Sequence, residues 1–135
     1  MSDALKAIIA LIVMLIPAVS FADTTCDHKS DLVSIKISER DAKEKEAVEA
    51  MRLFKSSIKD NVADYKSNYA IYASIKNHDF LDAIESTIQS LLEYKLSRCR
   101  HDTDGKADEF ISYLREQARD VKTMVSFVDM VISKK

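Results

Sequence analysis

Two short segments hold the residue types with the widest chemistry, Cys26-Asp27-His28 and Cys99-Arg100-His101. Each places a thiol two positions before an imidazole, and Cys26 and Cys99 are the only cysteines in the chain. Two thiolates with two imidazoles are a ligand set for zinc or copper, and Asp27, Asp31 and Asp102 are close in sequence. Cys-x-His is not the spacing of structural zinc sites, however, and thiols outside the cytosol oxidise readily. Thiol–disulfide catalysis would need a Cys-x-x-Cys pair to lower one thiol pKa and resolve a mixed disulfide. The two cysteines therefore read as one structural bridge, Cys26–Cys99. It closes a loop of about 74 residues, which chain entropy values at ~4 kcal/mol. A metal or redox site built from Cys26, His28, Cys99 and His101 is the alternative.

Other candidate chemistry falls away on spacing. The run His101-Asp102-Thr103-Asp104-Gly105 alternates carboxylates as the first half of a calcium loop does. Counted from Asp102, the last ligand position falls on Tyr113, where a bidentate Glu is required, so a helix cap is what remains. The three histidines all fall in or beside expected turns, and the single glycine, Gly105, rules out a Gly-rich phosphate cradle. A haem-attaching Cys-x-x-Cys-His run does not occur. Most carboxylates neighbour a Lys or Arg, as on a solvated surface. The chain is thus expected to be no enzyme and to carry no cofactor. Its formal net charge of −2, with both signs interleaved, offers no basic stripe for nucleic acid.

The start of the chain points to export. Ala7 to Val19 is an almost purely apolar run, short for a membrane span and the right length for the core of a signal peptide. Lys6 and the α-amino group give the positive flank, weakened by Asp3, and Pro17 helps present a cleavage site. Ser20-Phe21-Ala22 places small residues where a signal peptidase reads them. Residues 1–22 are therefore expected to be removed after Ala22, with Ser20 as the alternative, leaving a periplasmic or secreted domain over 23–135. Retention as an anchor is the competing outcome; after cleavage no stable membrane insertion is expected.

The remaining chain reads as all-α: it has no Trp and no Pro, the only Pro, Pro17, leaving with the leader, and Lys, Glu, Ala, Leu and Ile abound. Residues 23–37 are ambiguous, since Val33, Ile35 and Ile37 alternate like a strand while Ser30 and Asp31 resemble a helix cap. With no partner strand in the chain, this segment is expected to be helical or irregular, pinned to the rest by the disulfide. Ser38 with Asp41 suggests a capping box that opens a long first helix running to Ile75. Its stripe is Ala47, Met51, Phe54, Ile58, Val62, Tyr65, Tyr69 and Tyr72, and its charged start, Glu39–Glu46, reads as a wet face.

Asn77-His78-Asp79 is expected to break the chain, with a second helix from Asp79 to about Arg100 carrying Phe80, Leu81, Ile84, Ile88, Leu91, Leu92 and Leu96. A third helix, Gly105 to Ser133, has the cleanest seam: Ala107, Ile111, Leu114, Ala118, Val121, Val125, Val128 and Ile132. Phe110, Met124, Phe127 and Val131 widen it into a face that contacts both other helices or a second copy. The architecture expected is an antiparallel up-down-up three-helix bundle with a long first helix and one disulfide.

With catalytic groups missing, the function read from the sequence is that of an exported protein-interaction module. It would be an adaptor, an inhibitor or an accessory part of an envelope, secretion or conjugation system. Its partner would be another envelope or periplasmic protein, or a second copy bound along helix three. Candidate contact residues are Tyr65, Tyr69, Tyr72, Phe110, Met124 and Phe127, since Tyr and Phe are suited to interface anchors.

Overall fold

The computed structural model describes residues 24–60, 68–97 and 105–134. They form three helices, α1 (Thr24–Lys59), α2 (Ala70–Leu96) and α3 (Lys106–Ser133), with no strand among the described residues. None of these helices is long and apolar enough to cross a membrane. The leader expected over 1–22 lies outside the described residues, as do Val62, Tyr65, Cys99 and His101.

Cross-helix bonds give the directions. Between α1 and α2, Lys29 Nζ donates to Ser97 Oγ at 2.5 Å, Thr87 Oγ1 to the Lys36 carbonyl at 3.2 Å, and Lys76 pairs with Glu46 at 3.7 Å. Numbers rise along one helix as they fall along the other, so the two are antiparallel. Between α2 and α3, Ser74 Oγ donates to Asp129 at 2.6 Å, Lys122 pairs with Glu85 at 3.7 Å, and Lys95 binds Asp108. This pair is antiparallel as well. The chain therefore runs up, down and up, and α1 is the longest helix, as expected.

The helix boundaries differ from the sequence reading, and the reasons are physical. α1 starts at Thr24, not Ser38, and absorbs the ambiguous segment. Cys26, Ser30, Val33, Ile37 and Arg40 are buried at alternating steps of four and three, a helical seam that continues through Ala47, Met51 and Phe54. Two polar members, Ser30 and Arg40, hide that seam from a count of apolar residues. Ser38 is exposed in mid-helix and caps nothing, and Glu39–Glu46 is not wholly a wet face, because Arg40 is buried.

α1 ends at Lys59, and Asn77-His78-Asp79 lies inside α2 rather than breaking it. Asn77 bonds back along its own helix, Nδ2 to the Ala73 carbonyl at 2.8 Å, in place of capping a new one. The buried row Ala70, Ala73, Asn77, Phe80, Ile84, Thr87, Leu91 and Tyr94 runs unbroken through the supposed turn. Leu96, expected on the apolar face, is exposed at the end of the helix. α3 matches its expected bounds: Gly105 just before it takes φ +68°, a conformation that Gly adopts without Cβ strain, and Asp108 and Glu109 in the first turn complement the helix dipole.

The core has two parts. The larger joins Val33, Ile37, Ile84, Leu91, Leu114 and Val121 near the Cys26 end. The smaller surrounds Phe54 with Ala50, Met51, Ala70, Ala73 and Val128. There α2 contributes only alanines, so it approaches its neighbours closely but fills little volume. α2 packs tightly on both other helices, whereas the backbones of α1 and α3 stay largely apart. That separation creates the site described next.

Candidate functional site

The space between α1 and α3 is closed at one end by a polar bridge and open at the other. Arg40, with none of its side chain exposed, donates from Nη1 to Gln117 Oε1 at 2.7 Å and from Nη2 to Asp41 Oδ1 at 2.5 Å. Its Nη1 also lies 3.4 Å from Glu44 Oε2, and Gln117 Nε2 donates to that same carboxylate at 2.9 Å. A guanidinium taken out of water must be paired, and two carboxylates and an amide supply the pairing here. Among the described residues, Arg40 Nε alone in this bridge has no partner. The other polar groups of this bridge are engaged with one another, and none is a nucleophile set beside a base. The bridge can hold α1 to α3; it has no chemistry to perform.

Beyond the bridge lies a cleft in two joined sections. The first, of about 330 Å³, has Ala47, Val48, Met51, Arg52 and Lys55 of α1 on one wall and Val121 and Met124 of α3 on the other, with Asn77 and Phe80 of α2 as its floor. The second, of about 630 Å³, continues between Phe54, Lys55 and Ile58 on one side and Asp120, Thr123, Met124 and Phe127 on the other. Met51, Lys55 and Met124 line both sections, so the two adjoin. Val48 is 64% exposed and Phe127 49% exposed, and Ile58 is exposed beside them. Large apolar side chains left wet along a concave strip mark a contact surface more often than scattered ones do.

Charge on the cleft is uneven. Arg52 is committed to Glu49, with Nη2 and Nε donating at 2.6 and 2.9 Å. That hydrogen-bonded guanidinium holds the Glu49 carboxyl below its ordinary range, and the carboxylate in turn raises Arg52. Lys55 and Asp120, on opposite walls, have no ion-pair partner among the described residues.

The residues singled out from the sequence are divided by this geometry. Met124 and Phe127 line the cleft. Phe110 is 1% exposed, stacked on Tyr113 at 6.4 Å within the bundle, so it cannot meet a partner on the surface. Tyr69 is half-buried against the smaller core, and Tyr72 is exposed beneath the Lys76 ammonium at 5.7 Å. Tyr65, the third of these tyrosines, lies outside the described residues. Val48, Ile58 and Lys55 were missed as site residues. Their signal, apolar or basic positions flanking the α1 seam, has meaning only once α3 is known to stand away from them.

Of the cysteine–histidine alternative only Cys26 and His28 lie among the described residues, both in α1. Two helical positions turn the chain through about 200°, so residues two apart face opposite ways. Cys26 is 6% exposed, facing the bundle, while His28 is exposed on the outside. No group of three His, Cys, Asp or Glu able to hold a metal occurs among the described residues.

No protein-family model, no curated protein and no solved structure matches the chain.

Proposed function

We propose that this chain is a non-enzymatic, exported helical module that works by binding another protein of the cell envelope. The observation that carries this reading is the open apolar cleft between α1 and α3, with Val48, Ile58 and Phe127 exposed along it. Burying such side chains supplies about 1.5–3 kcal/mol each relative to leaving them wet, enough for a few anchors to dominate an interface. The apolar run over residues 7–19 and the small residues before Asp23 support a cleaved leader and a periplasmic setting. In that setting the two cysteines form the Cys26–Cys99 bridge. Its support is the Lys29–Ser97 bond at 2.5 Å, which brings the end of α2 beside the start of α1, together with the inward position of Cys26.

The test is chemical crosslinking in intact periplasm followed by capture of the protein, wild type beside Val48→Ser/Phe127→Ser. Both positions are exposed, so the variant should keep its helical spectrum and melting temperature. A discrete envelope protein held by wild type and lost by the variant is expected. Equal capture by both would remove the cleft from the interaction.

A further inference from the structure

We infer that the cleft receives a single amphipathic α-helix from the partner protein, with an apolar stripe on Met51, Met124 and Phe127 and an acidic flank against Lys55. This rests on reading the chain as a protein-interaction module and adds what kind of segment it binds.

The helix arrangement argues for a helix as occupant. α1 and α3 run in the same direction, and α2 runs opposite and behind them, bonded to both. Three positions of an up-down-up-down four-helix arrangement are therefore filled, and the cleft is the fourth. From Ala47 to Ile58 the α1 wall is about 17 Å long at 1.5 Å per residue, which matches a guest of three to four turns. Both cleft sections open to solvent rather than enclosing a space, as a helical groove does and as a pocket that buries most of a small molecule does not. Two of the three residues shared by the sections, Met51 and Met124 on facing walls, are unbranched thioethers that repack around a guest side chain.

Charge sets the flanks of the guest. Lys55 borders both sections and has no ion-pair partner among the described residues, while the neighbouring Arg52 is already held by Glu49. Asp120 on the facing wall is equally uncommitted. A guest helix carrying Glu or Asp on the side toward α1 answers Lys55, and one that also carries Lys or Arg on its other side answers Asp120.

The test uses the exported protein and two synthetic 14-residue helical peptides. Both have a stripe of Leu at helical spacing; one carries Glu along one flank, and the other carries Lys at those same positions. Backbone amide shifts in two-dimensional NMR report the site, and fluorescence anisotropy reports affinity. The Glu peptide should perturb Val48, Met51, Met124 and Phe127 and bind about threefold to fivefold tighter than the Lys peptide, the size of one exposed ion pair. Lys55→Glu, an exposed change that leaves the fold intact, should reverse that order, and a Pro at the peptide centre should abolish binding.

Equal binding of both peptides, an order unchanged by Lys55→Glu, or shifts confined to another face would overturn the inference. So would self-association of the protein through Phe127 in sedimentation without peptide, because the occupant would then be a second copy. Capture in periplasm that depends on Phe127, without peptide binding, sinks the helix as guest but keeps the interaction. Loss of both sinks both.

Discussion

Removing a guanidinium from water costs several kcal/mol, and Arg40 is held in place only because Asp41, Glu44 and Gln117 surround it. Arg40→Ala leaves Gln117 and two part-buried carboxylates without their cation. It is expected to lower unfolding free energy by about 3 kcal/mol in urea titrations. Arg40→Met, which replaces the volume with apolar contact, should cost less than the Ala change; an equal cost would mean that the apolar volume contributes nothing and the lost pairing sets the whole penalty. Ser30 makes the opposite case, since its buried hydroxyl has no hydrogen-bond partner among the described residues. Ser30→Ala removes an unsatisfied polar group, so it is expected to leave stability unchanged or raise it, and a clear loss in the same titration would contradict that environment.

Glu49 offers a pH test at the same scale. Its carboxyl is held low by Arg52, so whatever this pair adds to stability is present above the ordinary carboxylate range and is lost as pH falls through the lowered folded-state value. The pair is fully solvated, and its effect on stability should be undetectable. The direction is measurable nonetheless: the Glu49 carboxyl carbon should titrate below the ordinary glutamate range, and Arg52→Gln should move it back up.

For the helices, the decisive place is residues 77–79. If Asn77-His78-Asp79 were a turn, proline at 78 would be tolerated. Inside α2 it removes a backbone hydrogen bond and clashes with the preceding turn, so His78→Pro is expected to cost about 3 kcal/mol or more in thermal or urea unfolding. A wild-type melting curve would place the boundary back at 77–79. These residues show why the middle of the chain was hard to read. Asn, His and Asp favour caps and turns as single residues, but the row from Ala70 to Tyr94 is buried along one face, and burial overrides propensity. α3 was legible because every seam position from Ala107 to Val128 is apolar. The early start of α1 was hidden because Ser30 and Arg40 occupy buried seam positions, and part of the pairing that permits a buried Arg40 comes from Gln117, on another helix.

The molecule as a whole is a three-helix bundle with one side left open, and no periodicity in a single helix reports that. Met124 and Phe127 were legible as apolar positions beyond the α3 seam, but Val48, Ile58 and Lys55 acquire a role only from the distance between α1 and α3. The bridge proposed between Cys26 and Cys99 would tie the end opposite the cleft. Intact mass of the exported protein should fall two hydrogens below the reduced value, and reduction should cost about 2–4 kcal/mol of stability while leaving the cleft residues' NMR shifts in place. An unchanged mass would remove the bridge.

The measurement that bears most directly on the central claim is photocrosslinking in living cells from single positions. A photoreactive side chain at 48 or at 127 faces the cleft, and one at 89 faces solvent on the outer side of α2. Binding in the cleft predicts one discrete adduct with a second envelope protein from 48 and from 127, and none from 89. Adducts of equal yield from all three positions, or from 89 alone, would contradict it.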